Sequence, residues 1–125
     1  MHVDALKDPD AAHPVPTSWR PTFCAIVDAF VRGDLCLARP IPGVDPIPAD
    51  RAQQISSNIT AYGADLRALP DDAWLTSCAQ WTGANWEVLV DLWTAEEGPS
   101  DLVLHALVAE SADGFRFTVH LVYVP

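Results

Sequence analysis

The stretch WEVLVDLWTAEEGPSDLVLHALVAESADGFRFTVHLVYVP, residues 86–125, decides the fold. Apolar side chains recur there at every second position, the period of a strand with one buried face. Strands are expected at Trp86–Thr94, Asp101–Glu110 and Phe115–Val124, with a further one upstream at Ala73–Thr82. The connections TGAN, AEEGPS and SADG are short, so consecutive strands pair antiparallel as a meander. Asp113-Gly114 reads as a two-residue type I′ turn, which needs φ > 0 at both central positions.

That turn sets Ala112 opposite Phe115, Val108 opposite Val119 and Ala106 opposite Leu121. One face then carries Leu102, Leu104, Ala106, Val108, Phe117, Val119, Leu121 and Tyr123, and must pack on the helices. Setting Leu92 opposite Leu102 adds Trp86, Val88 and Val90 to this core. A one-residue slip would instead bury Glu87 and Asp91 without partners, which is costly, so the first register is preferred. The opposite face is expected to carry Glu87, Leu89, Asp91, Trp93, Val103, His105, Leu107, Thr118, His120 and Val122. This mixture is neither a solvated face nor a core.

Upstream the period changes to that of a helix. Trp19, Phe23, Ile26, Val27, Phe30 and Val31 form one stripe, with Thr17 or Ser18 as cap, Pro21 in the first turn and Gly33 as the stop. DLCLARPIPGVDPIPA, residues 34–49, is too rich in proline for a helix or central strand and reads as an extended connection, with Leu35–Leu37 a candidate edge strand. Asp50 is expected to cap a second helix, RAQQISSNITAY, with Ile55, Ile59 and Tyr62 on its buried side. It ends at Gly63 or runs on to Leu69 before Pro70. Residues 1–16, with Pro9, Pro14 and Pro16, read as a flexible leader to a single domain at 17–125. The fold class is therefore α+β: two N-terminal helices packed on one face of a three- to four-stranded antiparallel β-meander.

A chain of 125 residues favours one compact domain, and its 50% hydrophobic content with five Trp argues against disorder. Seven Lys+Arg stand against 17 Asp+Glu, a formal net charge of −10. Such a surface repels phosphate backbones and anionic lipid, so neither nucleic acid nor membrane is an expected partner. Stacking on bases would also need cations, yet Arg116 is the only basic residue in the last 58 positions. Cys24, Cys36 and Cys78 are odd in number and lack CxxC spacing, which suits a reducing cytosol better than a disulfide framework. The N-terminus MHVDALKDPDAAHPVP is acidic and lacks the apolar run of a secretory signal, and no window holds 18 uninterrupted apolar residues. A cytoplasmic location is expected.

No motif dictates a reaction. His105 and His120 on neighbouring strands, with Glu87 or Asp91, could form a metal site or run acid–base chemistry. The plainer reading is two ordinary histidines on a half-exposed sheet, and neither HExxH nor GxSxG is present to favour catalysis. Cys24 and Cys78 read as buried, inert thiols. Trp74, Trp81, Trp86 and Trp93 either pack a thin core or, for Trp93 on the outer face, anchor a partner. Glu87, Asp91, Glu96, Glu97 and Asp101 form a one-sign patch suited to steering a basic protein, without the DxDxDG spacing of a calcium loop. RPIPGVDPIP lacks a clean PxxP flanked by basic residues and reads as a rigid loop.

The chain resembles a family of small uncharacterised bacterial proteins. The resemblance rests on TSWRPTFCAIVDAFVRGD at 17–34, IPGVDPI at 41–47 and YGADLRALP at 62–70. It continues through WEVLVDLWTAEEGPSDLVL at 86–104 and FRFTVHLVYVP at 115–125, with VLVDLWT…EEGPSDL the most specific part. The resemblance implies bacterial origin and a single-domain unit, and brings no catalytic residues. In type, though not in motif, the chain is similar to immunity proteins of toxin systems.

The leading expectation is a cytosolic protein-binding module, an immunity-type inhibitor that sequesters a basic toxin. Glu87, Asp91, Glu96, Glu97 and Asp101 would steer the partner and Trp93 would anchor it; no cofactor and no catalytic residue is called for. The alternative is a small-molecule or metal-binding protein or enzyme using His105, His120, Glu87 and Asp91. A homodimer burying the mixed sheet face is a third reading.

Overall fold

A computed structural model describes residues 2–125. Its centre is a four-stranded antiparallel meander in the order β1 (Cys78–Trp81), β2 (Trp86–Thr94), β3 (Gly98–Ser111) and β4 (Gly114–Tyr123). Two helices, α1 (Arg20–Val31) and α2 (Ala49–Tyr62), precede it, and the class is α+β. Of the strand expected at Ala73–Thr82, only the second half forms. Asp71–Leu75 is a 3₁₀ turn that buries Ala73 and Trp74 and leaves Leu75 81% exposed, a spacing that no alternating strand produces.

In β2 the alternation WEVLVDLWT is realised directly, with Trp86, Val88, Val90, Leu92 and Thr94 buried. The β2–β3 register follows expectation from Trp86 opposite Val108 to Asp91 opposite Val103. Beyond it the register shifts: Trp93 pairs with Pro99, so Leu92 has no direct partner in Leu102. Ser100 makes the irregularity tolerable. Its hydroxyl donates to Leu92 O at 2.7 Å and accepts from Leu102 N at 3.2 Å, satisfying backbone groups that leave the ladder.

The β3–β4 hairpin corrects the expected register. Ser111 pairs with Gly114, so Ala112 and Asp113 occupy the turn and Val108 faces Phe117. Neither central residue has positive φ; glycine's freedom is used by Gly114, at φ 134°. A two-residue offset preserves the faces, and Phe117 and Val119 remain in the core as expected. A bulge then intervenes between the Ala106–Val119 and His105–Leu121 pairs. It inserts His120 and reverses the faces beyond it. Val122 turns into the core at 0% exposure, while Leu121 and Tyr123 become half-buried on the other face.

The core face is covered by α1, whose helical spacing buries Phe23, Ile26, Val27 and Phe30. Pro21 lies in its first turn, where the missing N–H costs nothing. Trp19, in a 3₁₀ turn just before α1, meets Trp86, Phe115 and Phe117 edge-on at centroid distances of 5.3, 5.1 and 6.1 Å. Neither Thr17 nor Ser18 caps the helix, because Thr17 Oγ1 instead accepts from Val3 N at 2.7 Å.

Both sheet edges are occupied. Beside β4, Gly43 and Asp45 exchange backbone hydrogen bonds with Phe117, while Arg51 and Asn58 of α2 donate to Val119 O and Val122 O. The expected Asp50 cap lies instead two residues further on, inside the first turn, since Pro48 is the N-cap residue, and α2 ends at Gly63 in the left-handed conformation, φ 85°. Leu35–Leu37 forms no strand. Along β1, His13 and Ala79 exchange two backbone bonds of 2.9 and 2.7 Å. Residues 2–16, expected as a flexible leader, here continue across the end of the sheet. Leu6 O accepts from the Trp86 indole at 2.9 Å, Pro9 O from Gln80 at 3.1 Å, and Val15 is fully buried. Covering both edges removes the unpaired backbone that invites strand addition.

Candidate functional site

With one face under α1 and both edges covered, the remaining large surface is the outer face of the sheet. An antiparallel sheet open to water ordinarily alternates apolar-in with polar-out. Here the outward positions include Leu89, Leu107 and Leu121, all half-buried, and Val103, which is buried. Strand register sets the layout: Gln80, Glu87, Leu107 and Thr118 make one cross-strand row, and Cys78, Leu89, His105 and Leu121 the next. Asp91, Val103 and Tyr123 make a third.

Cys78, Gln80, Glu87, Leu89, His105 and Tyr123 line a half-open hollow of about 180 Å³. His105 is its most constrained polar group, with a side chain only 18% exposed. Glu87 Oε1 lies 3.3 Å from His105 Nε2, within ion-pair reach but off the hydrogen-bonding direction. The shielded Nε2 therefore has no hydrogen-bond partner. The His120 ring stands edge-on to His105 at 5.0 Å between centroids, and Tyr123 lies at 6.3 Å. Gln80 donates one amide N–H to Pro9 O and keeps its second N–H and its carbonyl oxygen.

The structure thus brings Glu87, His105 and His120 together and sets Asp91 one row away. Among the described residues no group of three or more His, Cys, Asp or Glu is arranged to hold a metal ion. Burial, reinforced by the Asp91 charge, pushes the Cys78 thiol up and keeps it protonated. Burial likewise raises Cys24, with Asp28 and Asp71 adding to the effect. Neither has the lowered pKa of a nucleophile.

The other acids assigned to partner steering lie at the β2–β3 turn, and two of them are tied into the fold. Tyr62 Oη sits 2.9 and 2.8 Å from the two Glu97 carboxylate oxygens and accepts from Asp101 N at 3.1 Å. Thr94 Oγ1 also reaches Glu97, at 3.1 Å, and Glu96 accepts from Asp65 N at 3.0 Å. The Asp101 amide pulls the Tyr62 pKa down, but the Glu97 hydrogen bond, desolvation and the charges of Glu97 and Asp101 outweigh it and raise it. Trp93, the expected anchor, is half-buried: Arg67 lies 5.6 Å over its ring and Gly98 lies against it. The remaining tryptophans also pack internally, Trp81 against Trp86 at 4.6 Å and Trp74 beneath Arg20 at 5.6 Å.

Sequence reasoning missed Tyr123, Gln80 and Cys78 as companions of His105. The first needed the bulge, and the other two needed the β1–β2 register, which no turn signal fixed. It also missed Tyr62, whose role depends on a contact 35 residues away in sequence. Arg116, the one cation on β4, is neutralised by Asp45 at 2.7 Å, and Thr118 donates to the same carboxylate at 2.8 Å. No helix among the described residues is long and apolar enough to cross a membrane.

No curated protein and no solved structure matches the chain. Residues 27–125, which hold α2, the whole sheet and every residue of the hollow, match one protein family, and the chain belongs to it: a domain of unknown function, DUF7668.

Proposed function

We propose that this chain is a protein-binding module whose uncovered sheet face receives a basic partner, as an immunity-type inhibitor receives a toxin. The observation that carries the reading is the combination on that face of half-buried leucines and the acids Glu87 and Asp91, with Arg116 paired with Asp45 and Arg67 stacked over Trp93. Apolar surface supplies desolvation on binding, and acids whose neighbouring cations are engaged elsewhere steer a positively charged protein toward it. The net charge of −10 extends the same attraction over the whole molecule.

The small-molecule, metal or enzyme alternative draws less support. The hollow is smaller than the roughly 300–1,000 Å³ of pockets that take drug-sized ligands, and its histidines and acids lack a metal-binding arrangement.

The test uses the purified full chain as bait in lysate of its source cell, followed by association kinetics on any stoichiometric partner. A basic partner is expected, binding faster at low salt and slower to Glu87→Lys/Asp91→Lys. Toxicity of that partner alone, relieved by co-expression of this chain, would add the inhibitory role. A neutral or acidic partner, or an association rate indifferent to salt and to the double variant, would refute the reading.

A further inference from the structure

Resting on that reading, we infer that the hollow at Cys78, Gln80, Glu87, Leu89, His105 and Tyr123 is the anchor subsite for one arginine side chain of the basic partner. Its size, about 180 Å³, suits a single long side chain and not a larger ligand. Its one carboxylate is that of Glu87, and Gln80 and Tyr123 add oxygens that can accept. Glu87 offers a carboxylate 53% exposed at the rim, and Gln80 a carbonyl oxygen beside an amide that gives one of its two N–H groups to Pro9 O. His105 offers Nε2, shielded from water and without a hydrogen-bond partner. With its proton on Nδ1, that nitrogen accepts.

A guanidinium group is the complement of such a lining, with five donors in a rigid plane and no acceptor. It can span carboxylate and ring nitrogen together, which a compact ammonium does less well. Leu89 and the Tyr123 ring supply apolar surface for the methylene stem and a face for the guanidinium plane. Occupation would give the His105 nitrogen the partner it lacks, converting an unfavourable buried group into a specific contact. Among the described residues no cation does so: the His105 nitrogen has no hydrogen-bond partner, Arg116 is held by Asp45, and Lys7 by Glu110 at 2.6 Å.

The test is a titration of the full chain with Nα-acetyl-arginine amide, followed by ¹H–¹⁵N amide shifts. Nα-acetyl-citrulline amide, uncharged and nearly the same shape, is the control. Saturable shifts at Gln80, Leu89, His105 and Tyr123 are expected with the arginine probe and not with the citrulline probe. Glu87→Gln should weaken the response at least about fivefold, the effect of one partly shielded charge pair. His105→Phe removes the acceptor nitrogen while keeping a planar ring, and should weaken it comparably in a chain whose remaining spectrum shows it folded. Equal responses to the two probes, no response, or an undiminished response in Glu87→Gln would overturn the subsite. A basic partner that binds wild type and Glu87→Gln with equal affinity would also overturn it, while leaving the protein-binding reading intact.

Discussion

The bulge at His120 decides what the open face presents, and a pair of truncations tests it. Val122 is fully buried, whereas its larger neighbour Leu121 is only half-buried. Val122→Ala removes two methyl groups from the core beside β3. At about 0.8 kcal/mol per buried methylene, with a cavity contribution added, the cost is roughly 2–3 kcal/mol. Leu121→Ala removes more atoms but from a half-solvated site that water can refill, at roughly 1 kcal/mol or less. Uninterrupted alternation from Phe117 would make Leu121 the core residue and reverse the order, since a core Leu→Ala costs about 2–5 kcal/mol. Urea denaturation followed by tryptophan fluorescence reads both values, with an unchanged slope confirming that compactness is unaltered. At about 4 °C per kcal/mol, the Val122 variant should melt around 10 °C below wild type. A Leu121→Ala variant less stable than Val122→Ala would refute the bulge, and with it the placing of Tyr123 beside His105.

The raised pKa of Tyr62 means that the folded chain favours the neutral phenol. Its stabilising effect is complete below the unfolded tyrosine value near 10 and is lost as pH rises through the higher folded value. Stability measured between pH 8 and 11 should therefore fall less in Tyr62→Phe than in wild type; parallel curves would contradict the Tyr62–Glu97 contact. Deleting residues 2–9 strips the Leu6 carbonyl from the Trp86 indole and should cost roughly 1–3 kcal/mol with a red shift in tryptophan emission. An unaltered spectrum and midpoint would show that this segment does not cover Trp86 in solution. Iodoacetamide at pH 8 should label exposed Cys36 well before Cys24 and Cys78, whose thiols burial holds protonated. Mass mapping that found Cys78 labelled first would count against the packing around the hollow.

What could be read from the sequence was what depends on local period and on the cost of burying charge. The ends of β2 were legible because Trp86–Thr94 alternates cleanly between short turns, and its pairing with β3 because the slipped register buries Glu87 and Asp91. Helix α1 was legible because its stripe is wide and Pro21 fits only a first turn. The illegible features arise from contacts between distant segments. Asp113-Gly114 carries a strong type I′ signal, but that signal does not distinguish a glycine inside the turn from one just after it. The His120 insertion leaves an apolar run, LVYV, that reads equally well in either phase. Residues 2–16 have the composition of a tail and are placed by backbone bonds to Ala79 and Thr17 that no local pattern announces. The candidate site was half legible: strand alternation put Glu87, His105 and His120 on one face, while the observed β3–β4 pairing and its bulge, which set His120 and Tyr123 beside His105, were not legible.

Structure also divides the acidic residues into two kinds that composition makes look alike. Glu96 and Glu97 spend their hydrogen-bonding capacity on Asp65 N, Tyr62 and Thr94, joining the segment after α2 to the β2–β3 turn. Their charge still contributes to the long-range field, but their geometry is already committed to the fold. Glu87 makes no aligned hydrogen bond, and it stands where half-buried leucines meet an unpartnered imidazole nitrogen. A carboxylate is costly to desolvate beside apolar surface unless something of opposite charge arrives. On the proposed protein-binding reading, Glu87, 53% exposed and without an aligned hydrogen bond, is the acid left to meet a partner's cation at the hollow, while the acids of the turn would act through attraction at a distance.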